Sequence, residues 1–276
     1  MHRPLTRLIP APQQDVKLAG LYLAHQLHKR DGNGHPFVYS NFVTSLDGRI
    51  AVAGEHRQSH EVPPAITNLR DWRLYQELAG QADILITSGR YFRQSIVGEA
   101  QDFLPVGSQP EYEDIRLWRQ EQGLAAQPDI AIMSASLDIP VESLAPYHKR
   151  KIYIFTGEQA DAARIRLLES TGVHVMQAGT GRQVDGKLMI EQLAAEGYQS
   201  IYAIAGPWVF HTLLTAKVVN RLYLTIACQL LGGIDYDTLV EGTQLSPANG
   251  MRLVSLHHDT HAPSGSQLFG VFEPDN

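Results

Sequence analysis

Three short runs in this chain place reactive groups directly behind stretches of β-forming residues. In Ser45-Leu46-Asp47-Gly48 a carboxylate follows the run 37–44. In Thr87-Ser88-Gly89-Arg90 a guanidinium follows the run 83–87, and in Ile204-Ala205-Gly206-Pro207 small residues and a proline follow the run 200–205. Alone, Asp47-Gly48 is a turn signal, since Asp bonds its own turn and Gly tolerates positive φ. As part of a site it is a carboxylate held at a strand end to face a ligand. Gly89 would let a phosphate reach the main chain, and Arg90 would offer it a forked donor. A helix cap with a solvated arginine is the plain alternative. Ala205 and Gly206, with Pro207 suited to a first helical turn, leave room for a pyrophosphate on a helix N-terminus. A ligand-free strand–turn–helix junction fits them equally well.

Other residues of the right types lack the right context. His257-His258-Asp259-Thr260-His261 resembles a metal cluster but lies in a Pro/Ser/Gly-rich stretch; it reads as a solvated loop, and no metal is expected. Gly179-Thr180-Gly181 has no strand–helix setting. Cys228, the single cysteine, ends a β-patterned run and reads as a buried structural thiol. The chain has no Gly-x-Ser-x-Gly, Cys-His pair or His-Glu-x-x-His, which argues against the common hydrolases.

The elements that must position these junctions alternate. Strands are expected at 37–44, 83–87, 130–133, 152–156, 173–176, 200–205 and 218–227. Helices are expected at 66–80 (capped by Thr67 or Asn68), 158–170, 187–196 and 208–216. Such alternation implies an α/β domain with a largely parallel central sheet, where ligands sit at the carboxyl ends of the strands. A last strand, 267–272, would return antiparallel beside 218–227. Residues 1–35 read as an arm with one helical patch at 18–27, and 36–276 as the domain proper. Residues 94–128 read as a surface insertion carrying a short helix.

The 276 residues are 43% hydrophobic and 19% charged, the balance of a soluble globular protein. A net charge of −6 and the lack of a basic, aromatic-interleaved stripe give no support to nucleic-acid binding. Apolar runs are too short to span a membrane, and Pro4, Pro10 and Pro12 break any secretory signal. A cytoplasmic protein is expected.

"SLDGRIA", "ADILITSGR", "SASLDIP" and the run 184–233, in this order, resemble the riboflavin-biosynthesis pyrimidine reductases, the C-terminal half of bifunctional deaminase-reductases. That family belongs to the dihydrofolate reductase superfamily, and the resemblance spans roughly 36–240. It implies a dihydrofolate reductase-like fold and reduction of a ribosylamino-pyrimidine 5′-phosphate to its ribitylamino form by NADPH. By the same resemblance Thr87, Ser88, Gly89, Arg90, Ala205, Gly206, Pro207 and Trp208 would line the cofactor site, with Gly54 and Glu55 on a loop passing it. Arg90 would partner a 2′-phosphate. Asp47 would be the catalytic carboxylate, near the substrate's ribose, with Ser45 beside it. Arg49, Arg57 and Arg93 would be candidates for the substrate phosphate. The family is commonly dimeric, and 218–227 would contribute a sheet edge. The chain departs from the family where Glu-Gly-Gly-Pro is expected and Ile204-Ala205-Gly206-Pro207 stands. It also lacks the zinc-binding deaminase signature, so only a reductase half is implied. A reductase of another heterocycle, or a nucleotide-binding protein of the same fold without turnover, fits the same residues.

Overall fold

Apolar strands without polar gaps need cover on both faces, because successive side chains point opposite ways. In the run Ile84–Ser88, Leu85 joins one buried cluster and Ile84 and Ile86 join the other. The computed structural model describes residues 3–54, 60–100, 106–263 and 265–275. Its strands in chain order are β1 (Leu5–Ile9), β2 (Gln14–Val16), β3 (Phe37–Ser45), β4 (Ala51–Ala53), β5 (His60–Glu61), β6 (Ile84–Ser88) and β7 (Asp129–Met133). They continue with β8 (Ile152–Thr156), β9 (His174–Gln177), β10 (Ser200–Ala203), β11 (Arg221–Ala227), β12 (Tyr236–Asp237), β13 (Met251–Ala262) and β14 (Gly265–Pro274). The α-helices are α1 (Leu69–Ala79), α2 (Gly89–Ile96), α3 (Glu113–Glu121), α4 (Ala162–Glu169), α5 (Gly186–Ala195) and α6 (Pro207–Thr215).

β11, β3, β10, β6, β7, β8 and β9 lie side by side in that order, all parallel. β14 pairs antiparallel with β11, followed outward by β13, β1 and the three-residue β2. This mixed sheet is the α/β architecture expected from the alternation, with the returning C-terminal strand where it was placed. A second, small sheet has the order β12-β4-β5.

Two expectations change. β11 lies between β14 and β3, so it is interior and contributes no edge. Residues 257–261, read as a solvated loop, lie within the twelve-residue strand β13 (Met251–Ala262), with His257 and Asp259 buried. The polarity of that run misleads because its compensation is remote. Arg70 Nε donates to Asp259 at 2.6 Å and Gln267 Nε2 donates to it at 2.9 Å. Cys228, just beyond β11, is only half-buried.

α1 begins at Asn68, whose side-chain oxygen accepts from the Arg70 and Asp71 N–H groups. Most of this helix is buried, including its charged residues. Glu77 is completely buried and accepts from Arg73 Nε at 2.8 Å, Gly20 N at 2.6 Å and Tyr22 N at 2.9 Å. Arg73 also bonds Asp114 of α3, whose Ile115 and Arg119 are buried. The N-terminal segment, with Leu18, Tyr22, Leu23 and Leu27 in the core, is thereby fastened to α1. Removing one partner of a buried charge pair leaves the other uncompensated and costs about 3–5 kcal/mol. Glu77→Ala is expected to lower the unfolding free energy by that much in urea titrations. A loss below about 1 kcal/mol, the range of an exposed pair, would show that the network does not hold α1.

Candidate active site

A cavity of about 540 Å³ opens between α1, the carboxyl ends of β3, β6 and β10, and the small sheet. Two of the three opening junctions meet there. Thr87, Ser88 and Arg90 form one part of the wall, and Ala205, Gly206 and Pro207 another, beside Asn41 and Phe42 of β3. The residues just after the Asp47 turn, Ile50 and Ala51, also line it.

Both helices that start at the cavity leave their first turns free of side-chain caps. Ser88 is the N-cap of α2 and Gly206 that of α6, and neither supplies a capping bond. A Cβ at Gly206 would meet nothing within 4 Å. Open space at the positive end of a helix that has no side-chain cap suits a pyrophosphate. Gly89 serves packing instead, since a Cβ there would lie 3.1 Å from Ser134 Oγ. Trp208 is 65% exposed and does not reach the cavity wall.

Asp47 stands apart from the cavity. Its carboxylate accepts from Ser45 Oγ at 2.5 Å, Gly232 N at 2.8 Å and Leu231 N at 3.1 Å, and lies 2.9 Å from Arg49 Nη1. The Ser45 bond chiefly, then the Gly232 N–H, hold its pKa down to about 2, with Leu231 N–H and Arg49 helping. Ser45, Asp47 and Arg49 thus form a closed set that ties the β3–β4 turn to the loop after β11. Arg49 Nη2 also donates to the Gly233 carbonyl at 2.9 Å. Arg93 donates to the Asp138 carbonyl at 2.7 Å, away from the cavity wall. Gly54 follows β4 off that wall, and Glu55 and Arg57 lie outside the described residues. Arg90 is the arginine on the cavity wall among the described residues. Its Nη2 donates to the His60 carbonyl at 3.3 Å, and its Nη1 lies 3.9 Å from the Asp237 carboxylate.

Two carboxyl groups line the cavity, Asp237 of the small sheet and Asp71 of α1, and sequence reasoning missed both; Asp71 is the buried one. It accepts from Thr225 Oγ1 at 2.6 Å, and burial pushes its pKa up to about 6 against the lowering effect of that bond. Beside it Trp72 and Tyr75 stack at 4.6 Å. Across the cavity, Asn41 accepts from the Tyr202 hydroxyl, and Tyr202 stacks on Tyr39 at 5.0 Å. The available signal was position: Asp71 shares a helical stripe with Tyr75 and Leu78 at i, i+4 and i+7, which puts a carboxyl on a buried face.

A carboxyl whose pKa rises on folding contributes stability that is complete below its unfolded value near 3.9 and is lost as pH rises through about 6. Asp71→Asn, which keeps an acceptor for Thr225, is therefore expected to stabilise the protein at pH 7 by up to about 3 kcal/mol and to change little at about pH 4. Urea titrations at both pH values check this; equal effects at both would remove the buried-acid assignment.

The RibD C-terminal domain family matches residues 36–263 of this chain. A pyrimidine reductase-like protein from Corynebacterium diphtheriae superposes with a TM-score of 0.67 at 21% identity, over 87% of this chain and 92% of its own. Acinetobacter baumannii RibD gives 0.61 at 15% identity, over 88% of this chain and 59% of RibD. The riboflavin biosynthesis reductase Rib7 of Saccharomyces cerevisiae gives 0.57 at 16% identity, over 93% of this chain and 99% of Rib7. These likenesses show a shared fold, a mostly parallel sheet with antiparallel C-terminal strands. No curated protein matches the chain.

Proposed function

This chain belongs to the RibD C-terminal domain family, and we propose on that premise that it is an NADPH-dependent reductase of the riboflavin pathway. Its substrate would be a ribosylamino-pyrimidine 5′-phosphate, reduced to the ribitylamino form. The observation that carries this reading is the convergence of two uncapped helix starts, at Ser88 and at Gly206–Pro207, on one cavity that also holds Asp71.

NADPH, when bound, would supply the hydride for the ring-opened imine. The chain's part is positioning and proton supply. The N–H groups at the start of α2 and α6 would hold the pyrophosphate, with Thr87, Ala205 and Pro207 shaping the wall. Arg90 would take the 2′-phosphate and leave the Asp237 carboxylate to do so. Trp72 and Tyr75 give the pyrimidine an aromatic wall. Asp71 spends one carboxyl oxygen on Thr225 and offers the other to the ligand. With its pKa pushed up to about 6, it can hold a proton for the substrate nitrogen near neutrality. We assign Asp47, with Ser45 and Arg49, to fixing the turn that brings Ile50 and Ala51 to the cavity. A cytoplasmic homodimer is part of the same reading; the compartment rests on composition and the dimer on the family resemblance.

Titration of the purified protein with NADPH and NADH, followed by nicotinamide fluorescence, tests the cofactor; binding of neither would end the proposal. Arg90→Ala is expected to weaken NADPH by about 10- to 100-fold, the loss of one charge-assisted bond, and to leave NADH nearly unchanged. Equal weakening would remove Arg90 from the 2′-phosphate. With the ribosylamino-pyrimidine phosphate as substrate, Asp71→Asn is expected to lower kcat by roughly 100-fold or more, as for a lost general acid, with cofactor affinity retained. An unchanged kcat would take Asp71 out of the proton path. Cofactor binding without oxidation by this substrate would favour another heterocycle.

A further inference from the structure

The small sheet at the cavity mouth is fastened by a histidine that must carry two protons. β4 lies between β12 and β5, with His60 opposite Ala53 and Asp237 opposite Ala51. Residues 51 and 53 share one face of a strand, so His60 and Asp237 lie on that face too, one on each side of β4. The face looks into the cavity, since Ala51, His60 and Asp237 all line it. Two methyl side chains leave room for the flanking residues to meet across the middle strand. His60 Nδ1 lies 2.6 Å from an Asp237 oxygen and Nε2 lies 3.0 Å from an Asp235 oxygen. An ionised carboxylate only accepts, and a neutral imidazole has a single N–H. Both contacts are hydrogen bonds together only when the ring is an imidazolium.

We propose that protonated His60 is a clamp that closes the small sheet over the cavity mouth, and that loss of its proton releases the clamp. The charged groups around it agree. Asp235 and Asp237 face it from the β12 side. Arg90, from α2, donates to the His60 carbonyl at 3.3 Å and lies 3.9 Å from Asp237. Glu61, the next residue of β5, points to the opposite face by strand alternation. With the ring charged, two cations meet two carboxylates; without its proton, one carboxylate is in excess and one ring nitrogen turns a lone pair toward an oxygen. The Asp237 hydrogen bond, more than any other influence, raises the His60 pKa above its ordinary value, against a lowering by burial. The clamp is therefore complete below about pH 6.5, the ordinary histidine value, and is lost as pH rises through the raised value. It needs no ligand, so its failure is separable from failure of the reductase assignment.

Hydrogen exchange on the ligand-free protein tests it, comparing wild type with His60→Gln at each pH so that intrinsic exchange rates cancel. Residues 51–53 and 235–238 are expected to be protected about 10-fold more in wild type than in the variant near pH 6, with the difference gone by about pH 9. Equal protection near pH 6, or a difference that does not change with pH, would overturn the clamp. Nitrogen NMR of the His60 ring in the wild-type protein provides a reading that needs no variant. Two N–H groups with a pKa above about 6.5 are expected, and a value at or below it would also overturn the proposal.

Discussion

One buried carboxylate decides where the cavity can be. Glu77 has no solvent to stabilise its charge, so every oxygen lone pair it presents must be met by protein, and Arg73 and the Gly20 and Tyr22 amides meet them. That requirement fixes α1 to the N-terminal segment on one side and, through Arg73 and Asp114, to α3 on another. Arg70 extends the same logic to Asp259 of β13. A helix tied at so many points has little freedom to slide or turn, and Asp71, Trp72 and Tyr75 ride on it. The geometry of the cavity's acidic and aromatic wall is therefore set by polar bonds made one or two turns away from it.

Two aspartates show how environment separates one residue type into two chemical roles. Asp47 collects a hydroxyl, backbone N–H groups and a guanidinium, all of which favour the charged form, and its pKa falls to about 2. Asp71 has one hydroxyl and deep burial, which favours the neutral form, and its pKa rises to about 6. The first is permanently ionised and suited to holding a turn. The second changes state near neutrality and is suited to handling a proton.

The strand–glycine junctions were readable because strand, turn and helix start are local properties, and the largely parallel character of the sheet followed from their alternation. The loop of residues 231–232 that satisfies Asp47 is remote in sequence, so a strand-end carboxylate could be read as facing a ligand when it faces its own framework. Asp71 stands in the first turn of α1, where an acid is ordinary, so its place on the apolar stripe was easily passed over; Thr225 of β11 is the partner it finds there. His60 and Asp237 belong to two-residue strands, too short to leave a periodic trace. The run 251–262 was polar for a strand because its charge is neutralised by a helix nearly two hundred residues earlier, and no window of sequence contains both partners.

The two ends of the large sheet are both short. β2 has three residues, with Gln14 and Asp15 exposed, and β9 has four, with His174 and Gln177 exposed. An exposed long apolar edge would template further strands from other copies, and short polar edges deny it that template. An eleven-stranded sheet built this way stops growing at its own chain. The same brevity guards a sheet rich in Ile and Val against polymerising through its edges.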